Sequence, residues 1–293
     1  MESLRAAPFD MRKDPKMRKI LTRLLVWLGI MAGLTLLAMG VWMLVWGDSS
    51  TTSLKWLQCL QTIGTFLLPP VFCAWLWADN RRPLTWLKMD KCLSWQEALL
   101  AIGIMVCAVP AINLLADWNS QIVFPESLRA FELWAKQQEE TAARLTERFL
   151  QADSIGILLI NIGLMALLPA LSEELSFRGT MQQIFGNGHA AIWATAIIFS
   201  AIHMQFYGFI PRMLMGAMFG YIFVWTGNLW IPILMHFTNN GLAVMVYYIV
   251  GESAEGKNYA DTIGAGTTWW LGLISLVITS LGLLIFYRRT HTR

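Results

Sequence analysis

The stretch IGILLINIGLMALLPALSEELSFRG, residues 155–179, decides what kind of fold this chain adopts. Its first eighteen residues carry no charge, two adjacent glutamates follow, Glu173 and Glu174, and Arg178 comes one helical turn later. Such a long apolar run is typical of a membrane-spanning helix. A carboxylate beside hydrocarbon is costly unless it is paired or faces a water-filled cavity, so both glutamates are candidates for a functional site. The alternative is a helix end that reaches the lipid headgroups, where charge is tolerated.

The composition of the whole chain is that of a membrane protein. Of its 293 residues, 56% are hydrophobic and 14% are charged, whereas about 25% charged residues are usual in soluble domains. The sequence therefore predicts an all-α, polytopic membrane helix bundle with about eight transmembrane helices, forming one domain over residues 1–293. The segments that qualify, or nearly qualify, are about 20–46, 54–78, 96–115, 153–173, 190–207, 209–226, 229–250 and 268–287.

Two local patterns refine this prediction. Pro69 and Pro70 lie inside the second segment and should break or kink that helix. Residues 116–152 form the largest insertion between spans. From Ser127 to Gln151 this insertion mixes charged and apolar residues, which predicts one amphipathic extracytoplasmic helix with a structural or gating role.

Lys and Arg residues are concentrated on one side of this topology: in the N-terminal tail, in the loop after the second segment and at the C-terminus. By the positive-inside rule both termini are expected in the cytoplasm, in the plasma membrane of a bacterium. The first apolar run is too long for a cleavable signal peptide and lacks a cleavage site, so it is interpreted as a retained span. The four cysteines show no disulfide or metal spacing, and the net charge of +3 gives no sign of nucleic-acid binding.

Two of the four histidines fall inside predicted spans. His203 ends the run IIFSAIH, residues 197–203, and His236 lies in IPILMHFTNN, residues 231–240. His189 and His291 lie in a glycine-rich turn and in the tail, where solvated side chains are expected. A lone histidine in a span is usually a packing residue, but two of them close to a diglutamate favour a catalytic site.

Spacing brings these residues together. Glu173 lies fifteen residues before the turn near Gly188, and His203 lies fifteen residues after it, so an antiparallel hairpin places both at the same depth. His236 starts near the turn at Gly227 and reaches a similar level, and Asn240 lies one helical turn further along the same face. Polar groups from three helices can therefore converge on one site.

The two glutamates are expected to have different roles. Glu174 and Arg178 are four residues apart with the acid first, which favours a helical ion pair. Glu173 points about 100° away and can face His203. It would then act as a general base on a water molecule, assisted by His203, while His236 and Asn240 donate hydrogen bonds to the oxyanion.

Other chemistries find no support in the sequence. It contains no HExxH zinc motif, no GxGD aspartyl motif and no P-loop. Residues 251–256, GESAEG, fail the nucleophile-elbow pattern because Glu255 stands where glycine is needed. Gly216 and Gly220 form a small-xxx-small pattern that is typical of helix packing.

Three motifs together resemble those of a known family. Glu173-Glu174-x-x-x-Arg178, Phe199-x-x-x-His203 and His236-x-x-x-Asn240 match, in order and placement, the signatures of the CAAX prenyl protease and bacteriocin-processing family of intramembrane endopeptidases, which also includes abortive-infection-like proteins. The resemblance covers about residues 153–250, the expected catalytic core. It implies a bundle of the eight-helix type with a conical catalytic cavity that opens between helices, and the residue roles given above. Family members have been described both as metalloproteases and as glutamate-type enzymes, and bacteria lack prenylated CAAX substrates, so the substrate class does not transfer.

The sequence thus predicts an endopeptidase that needs no cofactor and cleaves peptide or protein substrates at the lipid bilayer. Asn240 is a poor zinc ligand and Glu174 is assigned to Arg178, so zinc is the alternative, with Glu173, His203 and His236 as ligands. Two non-enzymatic alternatives stay open. One is an idle scaffold or immunity protein of the same fold, and the other is a proton-coupled transporter, which inverted repeats would support. The natural substrate and the oligomeric state do not follow from the sequence.

Overall fold

A computed structural model describes residues 14–250 and 262–292, and all the regular secondary structure in these ranges is helical. The basic tail before Asp14 and residues 251–261, which include the GESAEG stretch, lie outside the described residues. The main helices are α1 (Pro15–Val45), α2 (Thr51–Trp77), α3 (Trp95–Ser120), α4 (Arg129–Leu150), α5 (Ile155–Phe185), α6 (His189–Ala201), α7 (Phe209–Thr226), α8 (Trp230–Val250) and α9 (Trp269–His291).

The predicted multi-pass helical fold is confirmed. Within the described ranges, seven helices are long and apolar enough to cross a membrane: α1, α2, α3, α5, α7 with the turn before it, α8, and α9 with the turn before it. The remaining apolar helix, α6, has 13 residues and is therefore about 20 Å long. The prediction of a span over residues 190–207 is wrong in its extent, because α6 ends at Ala201.

The early end of α6 changes the position of His203. Met204 has φ 58°, a left-handed conformation that an α-helix does not accommodate. His203 was expected inside a helix, but it lies in the turn after α6. The non-helical backbone that follows is satisfied by side chains: Asn119 of α3 donates to the carbonyl of Phe206 at 3.0 Å and accepts from the N–H of Ile210 at 2.7 Å. Such pairing is what irregular backbone requires at membrane depth.

In the part of the chain that the structure describes, three π-helical turns interrupt the long helices. In α2 the turn Ile63–Leu67 comes just before Pro69, so the expected break is a local widening and the helix continues to Trp77. In α5 the turn Ile162–Leu167 likewise precedes Pro169, and a second turn, Phe177–Gln182, follows the diglutamate. Proline cannot donate an N–H to the preceding turn, and the extra residue of a π turn accommodates that loss.

The insertion between α3 and α5 forms the predicted amphipathic helix, α4. Its apolar face packs on the turn before α7, where Phe131 and Trp134 lie 5.1 Å and 5.8 Å from Phe206 between ring centroids. At its other end Arg148 donates to Thr51 Oγ1 at 2.7 Å and to the carbonyl of Ser49 at 2.8 Å. The helix is therefore fixed across the end of the bundle at which His203 lies.

All four cysteines are free. Cys73 is buried, whereas Cys107 is exposed on the surface of α3. Cys92 is exposed in the segment between α2 and α3. This segment lies beside the turn between α7 and α8, because the N–H of Leu229 donates to the carbonyl of Lys88 at 2.8 Å.

Candidate active site

Glu174 is the centre of a buried network that joins α5 to α8. Its side chain has no solvent exposure, and its Oε1 accepts hydrogen bonds from Arg178 Nη1 at 2.7 Å and from His236 Nδ1 at 2.9 Å. The expected ion pair within α5 is therefore present, and the same oxygen also holds α8. Charge-assisted bonds of this kind are short and strong, and in a dry interior they fix the geometry of both partners.

Arg178 extends the network to α6 and α7. It is fully buried, its Nη2 donates to the carbonyl of Gly216 at 2.8 Å, and its guanidinium lies 4.7 Å from the ring centroid of Phe199 and 5.5 Å from that of Phe219. These aromatic faces stabilise the cation where water cannot. Phe199 also packs against His203, with ring centroids 5.0 Å apart, so the first residue of the Phe199-x-x-x-His203 motif connects the ion pair to the histidine.

Gly216 and Gly220, predicted to be a helix-packing seam, are where α5 and α6 approach the backbone of α7. A Cβ on Gly216 would lie 3.2 Å from Arg178 Nη2 and 3.3 Å from Phe199 Cδ1. One turn later Gln182 Nε2 donates to the carbonyl of Gly220 at 3.2 Å. The seam therefore positions the arginine of the site as well as packing helices.

A methyl group at Gly220 should destabilise the bundle. In Gly220→Ala the new Cβ would lie 2.7 Å from Gln182 Oε1 and 2.9 Å from Ile192 Cγ2, which is closer than side chains tolerate. We expect a loss of about 1–3 kcal/mol in the free energy of unfolding, the usual cost of overpacking. Gly103→Ala is the matched control, because nothing lies within 4 Å of the added methyl. Thermal unfolding in detergent measures both, and equal midpoints would contradict the role of the seam.

Glu173 differs from its neighbour in exposure and in partners. Its side chain is 15% exposed, and its Oε2 lies 3.9 Å from Nε2 of His236. Among its described contacts His236 is thus the nearest imidazole, whereas the sequence predicted that Glu173 would face His203. The charges of Arg178 and Arg212 also act on it. Glu173 is therefore the glutamate of the pair that is open to solvent and to a reactant.

The two histidines are hydrogen bonded through the same ring nitrogen. His203 donates from Nδ1 to the carbonyl of Phe199 at 2.7 Å, and His236 donates from Nδ1 to Glu174. Carbonyl and carboxylate oxygens only accept, so Nδ1 carries the proton in each ring. In the neutral rings both Nε2 atoms are therefore acceptors. His236 can donate to an oxyanion through Nε2 only after it has taken up a proton.

Asn240 lies one turn after His236 on α8 and is half-buried. Its Oδ1 accepts from Asn239 Nδ2 at 3.2 Å, which orients the amide group. The other two histidines lie outside the cluster: His189 is exposed and pairs with the Tyr221 hydroxyl at 2.8 Å, and His291 is exposed at the end of α9.

Sequence reasoning missed two residues beside the site. Phe219 stacks on His236 with ring centroids 5.6 Å apart, but in the sequence it is one apolar residue among many on α7. Arg212 had a stronger signal, because it is the only charged residue in the eighteen residues of α7. A charge within a span is a functional candidate in its own right.

The site residues include suitable ligand types for a metal ion, but they are not grouped as a metal site requires. Two Nε2 acceptors and one accessible carboxylate are suitable donor types for zinc. Sequence reasoning assigned Glu174 to Arg178 alone, but the structure shows that it also orients His236, as an outer carboxylate does for a zinc-bound histidine. Within residues 14–250 and 262–292, however, no three His, Cys, Asp or Glu side chains are grouped closely enough to hold an ion.

The segment that contains these site residues is similar to a known protein family. Residues 155–242 match the family described as type II CAAX prenyl endopeptidase Rce1-like. The resemblance predicted from the three motifs is thus confirmed for this segment, which contains every residue of those motifs.

Similarity to a bacterial relative also covers only part of the chain. The chain is 33% identical over 81 residues to a Bacillus subtilis (strain 168) protein with the name "Uncharacterized protein YpbD". This alignment covers 26% of the chain and 40% of that protein, so the similarity spans less than half of either. No solved structure matches the chain significantly.

Proposed function

We propose that this chain is an intramembrane endopeptidase that hydrolyses peptide bonds of membrane-associated peptides or proteins. The observation that carries the proposal is the contrast between the two glutamates. Glu174 is fully buried and bound to Arg178 and His236, whereas Glu173 is partly exposed beside His236. One carboxylate thus builds the site and the other is free to react. The Rce1-like match over residues 155–242 supports the same activity.

In the proposed reaction Glu173 accepts one proton from a water molecule, and Nε2 of His203 accepts a hydrogen bond from the O–H that remains. The hydroxide attacks the peptide carbonyl carbon, and protonated His236 and Asn240 donate hydrogen bonds to the resulting oxyanion. The C–N bond then breaks as Glu173 returns its proton to the leaving amine. A general base contributes about 10²–10⁴-fold to such a rate, and one oxyanion donor about 10²–10³-fold.

The identity of the substrate is tested directly on membranes. Purified wild-type protein and Glu173→Gln are each added to membranes of the host, and the new peptide ends are identified by mass spectrometry. We expect peptides that only the wild-type protein releases, with ends derived from sequences within or beside spans. Identical peptide sets from the two proteins would favour the idle scaffold or immunity protein.

A zinc-dependent form of the same protease is the second candidate, and the two Nε2 acceptors favour it. Its ligands would be Glu173, His203 and His236, but the lack of a three-residue group in the described ranges leads us to prefer the metal-free form. We expect activity to survive chelation and the purified protein to lack stoichiometric zinc. Stoichiometric zinc whose removal reversibly abolishes cleavage would establish the metalloprotease instead.

We further propose that the protein lies in the bacterial plasma membrane with both termini in the cytoplasm. In intact cells that express single-cysteine variants of the protein, Cys92 should not react with a membrane-impermeant maleimide until the cells are opened. The reason is that its exposed loop would face the cytoplasm. Ser127→Cys in the outer insertion is the matched control and should react at once, since residue 127 is exposed. Rapid labelling of Cys92 in intact cells would reverse the orientation.

A further inference from the structure

Arg212 is a cation beside the site that the proposed reaction does not use. It lies in the first turn of α7, where every other side chain of the helix is uncharged, and it is only partly exposed. A charged side chain in a membrane helix is costly, so it normally serves an ion pair or a ligand. Glu174 is the ion-pair partner of Arg178, so a different group must explain the charge of Arg212.

Hydrogen bonds hold the guanidinium of Arg212 next to the histidine turn. Its Nη2 donates to Gln205 Oε1 at 2.9 Å and its Nη1 to the carbonyl of Gln205 at 3.3 Å. Gln205 follows His203 by two residues, and the charge of Arg212 acts on both His203 and Glu173. The cation is therefore oriented within electrostatic reach of the groups proposed to activate water.

The amphipathic helix brings a carboxylate into the electrostatic range of this cation. Glu139 lies one turn after the buried Ala135 on α4, and its charge acts on Arg212, as does that of Glu173. Its Oε2 is buried and has no hydrogen-bond partner among the described residues. A buried carboxylate oxygen without a partner is costly, and the charge of Glu139 acts on Arg212 without the close bidentate pair that arginine prefers.

We propose that Arg212 binds a carboxylate of the peptide substrate, and that Glu139 supplies the counter-charge when no substrate is bound. This inference rests on the endopeptidase function proposed above. A guanidinium has five N–H donors, and Gln205 uses two of them in the structure, so donors remain for a carboxylate. The substrate carboxylate can be a free C-terminus or an acidic side chain, since both present the same two oxygens.

Pairs of synthetic peptides distinguish a free C-terminus from an acidic side chain as the source of the carboxylate. Short quenched-fluorescence peptides span the cleavage sites found in the membrane experiment. They are made with a C-terminal carboxylate or a C-terminal amide, and with Glu or Gln near the cleaved bond. For the carboxylate form that Arg212 recognises, Arg212→Gln should raise KM about tenfold, the loss of one charged hydrogen bond. For the neutral partner peptide KM should stay unchanged, and Arg212→Lys should retain part of the preference for the carboxylate.

Glu139→Gln gives an independent measurement that leaves Arg212 intact. Removing the internal competitor should lower KM for the carboxylate peptide and leave KM for the neutral peptide unchanged. Glu140→Gln is the matched control, because Glu140 is exposed on the same helix and pairs with Arg144 at 3.3 Å.

The outcomes distinguish the two proposals. Equal losses on acid and neutral peptides in Arg212→Gln, together with no effect of Glu139→Gln, would assign Arg212 a purely structural role and leave the protease intact. If the wild-type protein releases no peptides from membranes, the endopeptidase function fails and the carboxylate site fails with it. If Arg212→Gln does not fold, the comparison of Glu139→Gln with Glu140→Gln decides.

Discussion

Glu173→Gln is expected to abolish peptide-bond cleavage while leaving the folded protein almost unchanged. The substitution keeps the shape of a partly exposed side chain whose nearest described charge partner, His236 Nε2, is 3.9 Å away. It removes only the group that takes the proton from water, so we expect a loss of about 10³-fold or more in kcat, within the range for general bases. KM should change little, because the amide occupies the same volume.

Cleavage of a peptide identified on membranes, followed together with thermal unfolding in detergent, measures this effect. Glu140→Gln, an exposed glutamate on α4, serves as the control for loss of a carboxylate elsewhere. Wild-type cleavage by Glu173→Gln would remove this residue from the reaction.

Glu174→Gln is expected to impair both activity and stability. Its Oε1 accepts hydrogen bonds from Arg178 and His236, and all three side chains are buried. Removing the negative charge leaves Arg178 as a buried cation without its ion-pair partner, and breaking such a pair costs about 3–5 kcal/mol. His236 also loses the acceptor that fixes its tautomer, so the remaining folded protein should cleave slowly.

The comparison of the two glutamine variants is the decisive measurement. Both remove one carboxylate at adjacent positions, so each controls for the other. We expect a lowered unfolding midpoint in Glu174→Gln alone and loss of cleavage in both. A stable, inactive Glu174→Gln beside an active Glu173→Gln would exchange their roles.

Local sequence rules predicted the turns and the ion pair of the site. Gly186 and Gly227 have positive φ and end their helices, so the expected hairpins on either side of α6 and α7 are present. The spacing of Glu174 and Arg178 likewise gave their ion pair, since residues four apart share a helix face. These features depend on one helix or one turn at a time.

The contacts between helices could not be predicted from the sequence. The spacing of His236 from the turn at Gly227 predicted its depth in the membrane. Its hydrogen bond to Glu174 depends on how α8 is rotated against α5, and hydrophobic periodicity does not determine that rotation. The end of α6 before His203 depends on the left-handed backbone of Met204, a conformation that is uncommon for methionine. The prolines are the local signal for two of the π turns, whereas the turn Phe177–Gln182 has no such signal. Each π turn rotates the helix beyond it.

The shortness of α6 has a consequence for the lipid around the protein. About 20 Å of helix stands where the hydrocarbon layer is about 30 Å thick. We expect the bilayer on that flank to thin, or to leave a dent that headgroups and water enter, and hydrophobic mismatch of this kind costs a fraction of a kcal/mol per Å. Activity should then depend on acyl-chain length, because water would reach toward His203 more easily in a thin bilayer than in a thick, sterol-rich one.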